Sequence, residues 1–223
     1  MPPNRPLVPD LLNLWTNLGN LLDMKKVQME EELSRKYTAR LCRKGIIEEG
    51  YAEIYEYGFE LLISSVISVV LTVAIGVILH AGWFAVGYLV GLIPVRIYAG
   101  GYHARTHIEC NIVFELLFTG SVIISNFLQY RYSTVIGMYI CLFAVLCRYA
   151  PLEAKNKPLT ELQSRKYRTY ALIISLVFMV IDIYGCSLES SLFRGMLFGK
   201  LGVIVLILIQ VACDMLANMS IDK

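Results

Sequence analysis

Paired cysteines are missing from this sequence. Six cysteines are present (Cys42, Cys110, Cys141, Cys147, Cys186 and Cys213), but none stands in a C-x-x-C arrangement and five fall in or beside hydrophobic segments. Neither a disulfide framework nor a zinc ribbon is implied. Net charge is almost absent too: +2 over 223 residues offers no bulk attraction to nucleic acid, and no such partner is expected. The H-E-x-x-H pattern of a zinc peptidase does not occur. Met1 to Asp10 holds four prolines and no apolar core, which does not read as a cleavable signal peptide, so the first spans are expected to direct insertion themselves. No internal repeat and no low-complexity segment is visible.

What the sequence has in excess is apolar residues, 57% of the chain, with a mean hydropathy of +0.59. A soluble domain of this length would leave too much of that surface in water. Six stretches are apolar all round: Leu61–Leu79, Gly82–Val95, Ile112–Leu128, Thr134–Cys147, Ala171–Tyr184 and Met196–Ala217. A crossing needs roughly 20 apolar residues, so the second, fourth and fifth stretches must borrow flanking residues, lie in thin membrane or be partly re-entrant. The expected fold is an all-α, polytopic membrane protein with about six spans. Placing both termini in the cytoplasm puts all but Arg131, Arg194 and Lys200 of the 20 Lys and Arg on that side, as the positive-inside rule requires; Lys200 falls at the last span.

Three sequence regions follow. Residues 1–60 read as cytoplasmic and interfacial helices, 61–218 as a transmembrane catalytic part, and 219–223 as a tail. Within the first, Leu11, Leu12, Leu14, Trp15, Leu18, Leu21 and Leu22 alternate at helical spacing with Asn13, Thr16, Asn17 and Asn20, an amphipathic helix suited to the inner headgroup layer. Glu30 to Glu60 mixes both charge signs and reads as helix broken at Gly45 and Gly50.

One stretch carries chemistry. Arg96-Ile97-Tyr98-Ala99-Gly100-Gly101-Tyr102-His103-Ala104-Arg105-Thr106-His107-Ile108-Glu109-Cys110 contains two of the three histidines in the chain. A cysteine is nucleophilic as the thiolate, and an imidazole can take its proton and return it to a leaving amine. Arg96 and Arg105 favour negative charge nearby, and Gly100-Gly101 can break a helix or present N–H groups to an oxyanion. Metal binding through His103, His107 and Cys110 is a rival reading of the same residues. A transporter is a third, because Gly82, Gly87, Gly91 and Pro94 interrupt the second apolar stretch as cavity-lining helices are interrupted.

The run Arg96-x3-Gly100-Gly101-x-His103-Ala104-x5-Cys110 resembles the signature of the accessory gene regulator protein B (AgrB) family, membrane cysteine endopeptidases of bacterial quorum sensing. Arg148-Tyr149-Ala150-Pro151 through Asn156-Lys157-Pro158-Leu159 is similar to that family's second cytoplasmic loop, and Glu53-Ile54-Tyr55-Glu56-Tyr57-Gly58 to its segment before the first span. The likeness covers Glu30 to Ala217, so Leu11–Leu22 inherits nothing from it. It implies a bacterial cell-membrane enzyme with its site on the cytoplasmic side, Cys110 as nucleophile, His103 as base, and Arg96, Gly100 and Gly101 as supporting residues. The implied substrate is an AgrD-like precursor peptide whose acidic tail is removed, and the thioester left on Cys110 lets the signal segment close on itself without metal, ATP or other cofactor.

Geometry bears on the base. On one straight helix from Gly101 to Cys110, His103 and Cys110 would stand about 10.5 Å apart along the axis, and His107 would be the nearer imidazole. The family motif selects His103, which requires a break, and Gly100-Gly101 supplies one. Two further expectations concern partners. The loop from Arg148 to Arg168 carries six basic and two acidic residues, so Lys155 and Lys157 are expected to receive the acidic tail. Gly87-x3-Gly91 allows close helix approach, either in a homodimer or inside one bundle.

Overall fold

The computed structural model describes residues 32–102, 107–128, 130–152, 159–188 and 190–221. Among them no strand occurs. Seven α-helices follow in order: α1 (32–43), α2 (Ala52–Ile78), α3 (Gly82–Ala99), α4 (His107–Ser125), α5 (Tyr132–Tyr149), α6 (Glu161–Gly185) and α7 (Ser191–Ile221). The expected Leu11–Leu22 helix lies outside the described residues.

Each short apolar stretch has borrowed flanking residues. The second and fourth became helices of 18 residues and the fifth one of 25, lengths of about 27 Å or more at 1.5 Å per residue. The α6 extension begins at a sequence signal, because Thr160 accepts from the Gln163 N–H while the Gln163 side chain accepts from the Thr160 N–H, a reciprocal cap that fixes the helix start. Five described helices are long and apolar enough to cross a bilayer: α2, α3, α5, α6 and α7 over Ser191–Leu216. The chain is thus a multi-pass helical membrane protein. The expected third crossing corresponds to α4, a helix of 19 residues.

The chain divides into two compact units, with boundaries inside α2 and α4. One comprises Met1–Ile67 with Thr106–Asn111 and the other Ser68–Arg105 with Ile112–Lys223. In the first unit, α1 is fastened to the start of α2 by Ser34 donating to Glu60 (3.3 Å), by the exposed Arg35–Glu56 ion pair (3.3 Å) and by Tyr37 against Phe59. Gly45, at φ +69°, turns the chain between them.

In the second unit α3 and α7 touch backbone to backbone. A Cβ on Gly87 or Gly91 would run into the Leu192 or Met196 carbonyl, and one on Gly195 or Gly199 into the Phe84 or Tyr88 carbonyl. Small residues on both faces permit this approach, which in lipid substitutes for the hydrophobic drive that is absent there. Of the two uses open to Gly87-x3-Gly91, the motif therefore serves the intramolecular one, and its face is not open to a second copy. Gly87 and Gly91, two of the four positions behind the transporter reading, are taken up by this packing against α7. Around the seam Phe84, Tyr88, Phe114, Phe118 and Phe198 form an edge-on and tilted aromatic cluster. Outward-facing residues such as Val70, Ile140 and Val180 are exposed, as lipid contact allows.

Lys200 lies inside α7 and is buried. Its Nζ meets Asp182 Oδ2 at 2.9 Å, donates to the Met196 carbonyl at 2.9 Å and sits 4.5 Å from the Phe178 ring centroid. Tyr139 donates to the same Asp182 oxygen at 2.8 Å, and Tyr130, just before α5, donates to the Asp182 carbonyl at 2.8 Å. Burial, reinforced by the Asp182 charge, holds the Tyr130 phenol well above its usual range and keeps it a donor. One carboxylate thus joins α5, α6 and α7. Removing one member of such a pair strands the other charge, a loss of roughly 3–5 kcal/mol. Lys200→Met is therefore expected to destabilise the protein by that amount, and adding Asp182→Asn to recover much of it, read by unfolding in mixed micelles as the denaturing detergent is raised.

Candidate functional site

The described part of the site is built where α3 ends. Arg96, in its last turn, accepts the Gly100 N–H on its carbonyl at 2.9 Å. Gly100 then takes φ +75°, ψ −157°, a conformation essentially reserved for glycine. The helix stops, and Gly100 to Tyr102 run as non-helical chain. Arg96 curls over this segment: Nη2 donates to the Tyr102 carbonyl at 3.3 Å, and the guanidinium lies 5.8 Å from the Phe114 ring centroid. Gly101 is buried, close to Leu206 and to Arg96 Nε.

The chain leaving α5 meets the same turn. The Leu152 N–H donates to the Ala99 carbonyl at 3.0 Å, and the Leu152 carbonyl lies where a Gly100 Cβ would go. The α6 helix closes the junction, since Arg168 Nε donates to the Ala150 carbonyl at 2.7 Å and Tyr98 packs edge-on against Tyr167 and Tyr170, with centroids at 5.9 and 5.4 Å. Two segments remote in sequence, Arg96–Tyr102 and Ala150–Leu152, thus share one backbone contact.

Cys110 belongs to the other unit. It is the fourth residue of α4, half-buried, and not part of a disulfide. The next residue, Asn111, accepts from Ser64 at 3.4 Å in a buried contact with α2. Because α3 stops at Ala99 and Gly100 to Tyr102 are non-helical, α3 does not run on into α4, which starts at His107; residues 103–106 lie outside the described residues. His107 shares a helix with Cys110. His103, Lys155, Lys157 and the His107 side chain lie outside the described residues. Among the described residues no cluster of His, Cys, Asp or Glu could hold a metal ion.

Sequence reading missed two features. Glu115 accepts from Thr72 at 3.0 Å inside the expected third span; a carboxylate there was itself a signal. Arg168 reads in the sequence as a topological charge, although Tyr167-Arg168-Thr169-Tyr170 at the edge of an apolar run is the pattern of a helix face seated at an interface.

The family model for accessory gene regulator B matches residues 34–213, from α1 through most of α7. The chain belongs to that family. An AgrB-like protein of Clostridium perfringens strain SM101 is 25% identical over 172 residues, covering 74% of this chain and 80% of the relative. A second from Clostridium perfringens strain 13 is 24% identical over 187 residues, covering 77% and 87%. The accessory gene regulator protein B of Staphylococcus haemolyticus is 22% identical over 125 residues, covering 56% and 66%. No solved structure matches. The AgrB match includes both segments that meet at Gly100. Gly100→Ala should therefore strain the turn by roughly 1–3 kcal/mol and push Leu152 away, so that the Leu152 amide exchanges with deuterium about tenfold faster or more while α3 core amides keep their protection.

Proposed function

We propose that this AgrB-family chain is a membrane cysteine endopeptidase that removes the acidic tail of an AgrD-like precursor and passes the signal segment on to form a ring. The observation that carries the reading is the helix break after Ala99, which detaches the His103 segment from α3 and begins a new helix with Cys110 in its first turn. A first-turn position sets the sulfur near the positive end of a helix dipole, where developing negative charge is favoured. The transmembrane catalytic part is taken as residues 61–218 in the bacterial cell membrane. The site faces the cytoplasm, where the basic residues concentrate.

His103 removes the Cys110 Sγ proton, and the thiolate adds to the scissile carbonyl. The Gly101 backbone offers its N–H group to the oxyanion, the Gly100 N–H being engaged by the Arg96 carbonyl. Collapse breaks the C–N bond, and His103 returns the proton to the departing amine of the tail. The signal segment is now a thioester on Cys110. A cysteine thiol or serine hydroxyl within the peptide loses its proton to His103, attacks the thioester carbonyl and expels Cys110, which recovers that proton. Neither oxidant nor ATP is consumed, because thioester cleavage supplies the acyl-transfer potential. Arg96 holds the Tyr102 carbonyl and so the chain entering His103; Lys155 and Lys157 receive the acidic tail.

Cys110→Ala should abolish release of the tail, and His103→Ala should lower it by roughly 10²–10⁴-fold. His107→Ala should keep most of it, all in protein whose insertion and folding are verified. Activity that survives His103→Ala and vanishes in His107→Ala would transfer the base to His107. For the loop, the double change of Lys155 and Lys157 to Gln should weaken cleavage at low salt and flatten its salt dependence; cleavage indifferent to both would leave the loop a topological signal only.

A further inference from the structure

We infer that Arg168 is a positioning residue of this site, holding the end of α5 against the Gly100 turn so that the chain leading to His103 has one fixed course. The inference rests on the endopeptidase reading for its kinetic arm only. Ala150 caps α5: its N–H donates to the Leu146 carbonyl, while its own carbonyl is among those a helix end leaves without an intrahelical partner. Arg168 fills that vacancy through Nε at 2.7 Å, a cation at the negative end of a helix, where it is favoured. Two residues on, Leu152 gives its N–H to Ala99 and lays its carbonyl over Gly100. A displacement of Ala150 is therefore transmitted across two peptide units to the turn that begins the His103 segment.

The seat of Arg168 is itself fixed. Tyr167 and Tyr170 on the same helix grip Tyr98, the residue before Ala99, and the Thr160–Gln163 cap sets where α6 begins. Three chain ends, from α3, α5 and α6, thus meet within one network: Tyr98 with the tyrosines, Arg168 with Ala150, and Leu152 with Ala99 and Gly100. Arg168 is an exposed residue on an extra-apolar turn of α6, so its hydrogen bond, rather than core packing, is what its loss would remove.

The test compares Arg168→Met, which loses donor and charge, with Arg168→Lys, which keeps both, in the full chain in bilayer nanodiscs, beside wild type and Cys110→Ala. Positioning requires that Arg168→Met speed deuterium exchange of the Leu152 amide while the thermal midpoint stays at the wild-type value, and that Arg168→Lys restore protection. In cleavage of a precursor with an acidic tail, Arg168→Met should lower kcat by on the order of tenfold to a hundredfold with KM changed less than about twofold, and Arg168→Lys should recover most of the rate. Unchanged Leu152 exchange in Arg168→Met overturns the inference. So does a raised KM at wild-type kcat, which would make Arg168 a substrate contact, or a lowered midpoint tracking the rate, which would make it a stability residue. If Cys110→Ala cleaves as wild type does, the endopeptidase reading fails instead, and the exchange arm still decides the role of Arg168.

Discussion

Everything in the larger unit is arranged around two helices whose backbones touch. In lipid, apolar side chains gain little by meeting one another, and what remains is close packing and hydrogen bonding. Gly87 and Gly91 on α3 face carbonyls of α7, and Gly195 and Gly199 on α7 face carbonyls of α3, so each helix supplies both the groove and the ridge. That reciprocity sets the register between them. Once it is set, Tyr88 is trapped between Phe114, Phe118 and the surface at Gly202, and Gly101 comes to rest near Leu206. The course of the chain after α3 is in this sense inherited from the α3–α7 contact.

The helical class and the positions of the apolar segments were legible because composition and run length decide them. The break at Gly45 was equally local. Helix ends were less legible: α6 starts ten residues before its apolar run because Thr160 and Gln163 cap each other, and polar residues such as Arg165 and Arg168 can ride on a helix that has left the membrane. The use made of Gly87-x3-Gly91 could not be read at all, since its partner, Gly195-x3-Gly199, lies about a hundred residues away and a motif of small residues does not name the helix it packs on.

For the candidate site, the sequence offered candidate residues and one geometric expectation. The family motif pairs a histidine and a cysteine seven positions apart, which cannot meet on a straight helix, and Gly100-Gly101 was the break the sequence offered. What the sequence did not reveal is that the break is held from outside. Gly100 tolerates its conformation because it has no side chain, but the Leu152 N–H, the Arg96 guanidinium and the Arg168 contact with Ala150 restrict which conformation it keeps. Permission is local and readable; the restriction that Leu152 and Arg168 add comes from more than fifty positions away, and no spacing rule announces it.

The buried Asp182–Lys200 pair has a consequence for how the molecule is made. Each charge alone is unwelcome at membrane depth, and the two sit on consecutive helices, α6 and α7, joined by a short turn, with Gly185 at the end of α6 where a side chain would strike Phe193 of α7. A newly synthesised α6 that entered lipid by itself would carry an uncompensated carboxylate, and its partner arrives only eighteen residues later. The favourable course during biogenesis is for both helices to partition together as a hairpin, the salt bridge forming as they leave the insertion machinery. The last pair of helices then behaves as one insertion unit, and its final step completes the groove surface that α3 has been waiting for.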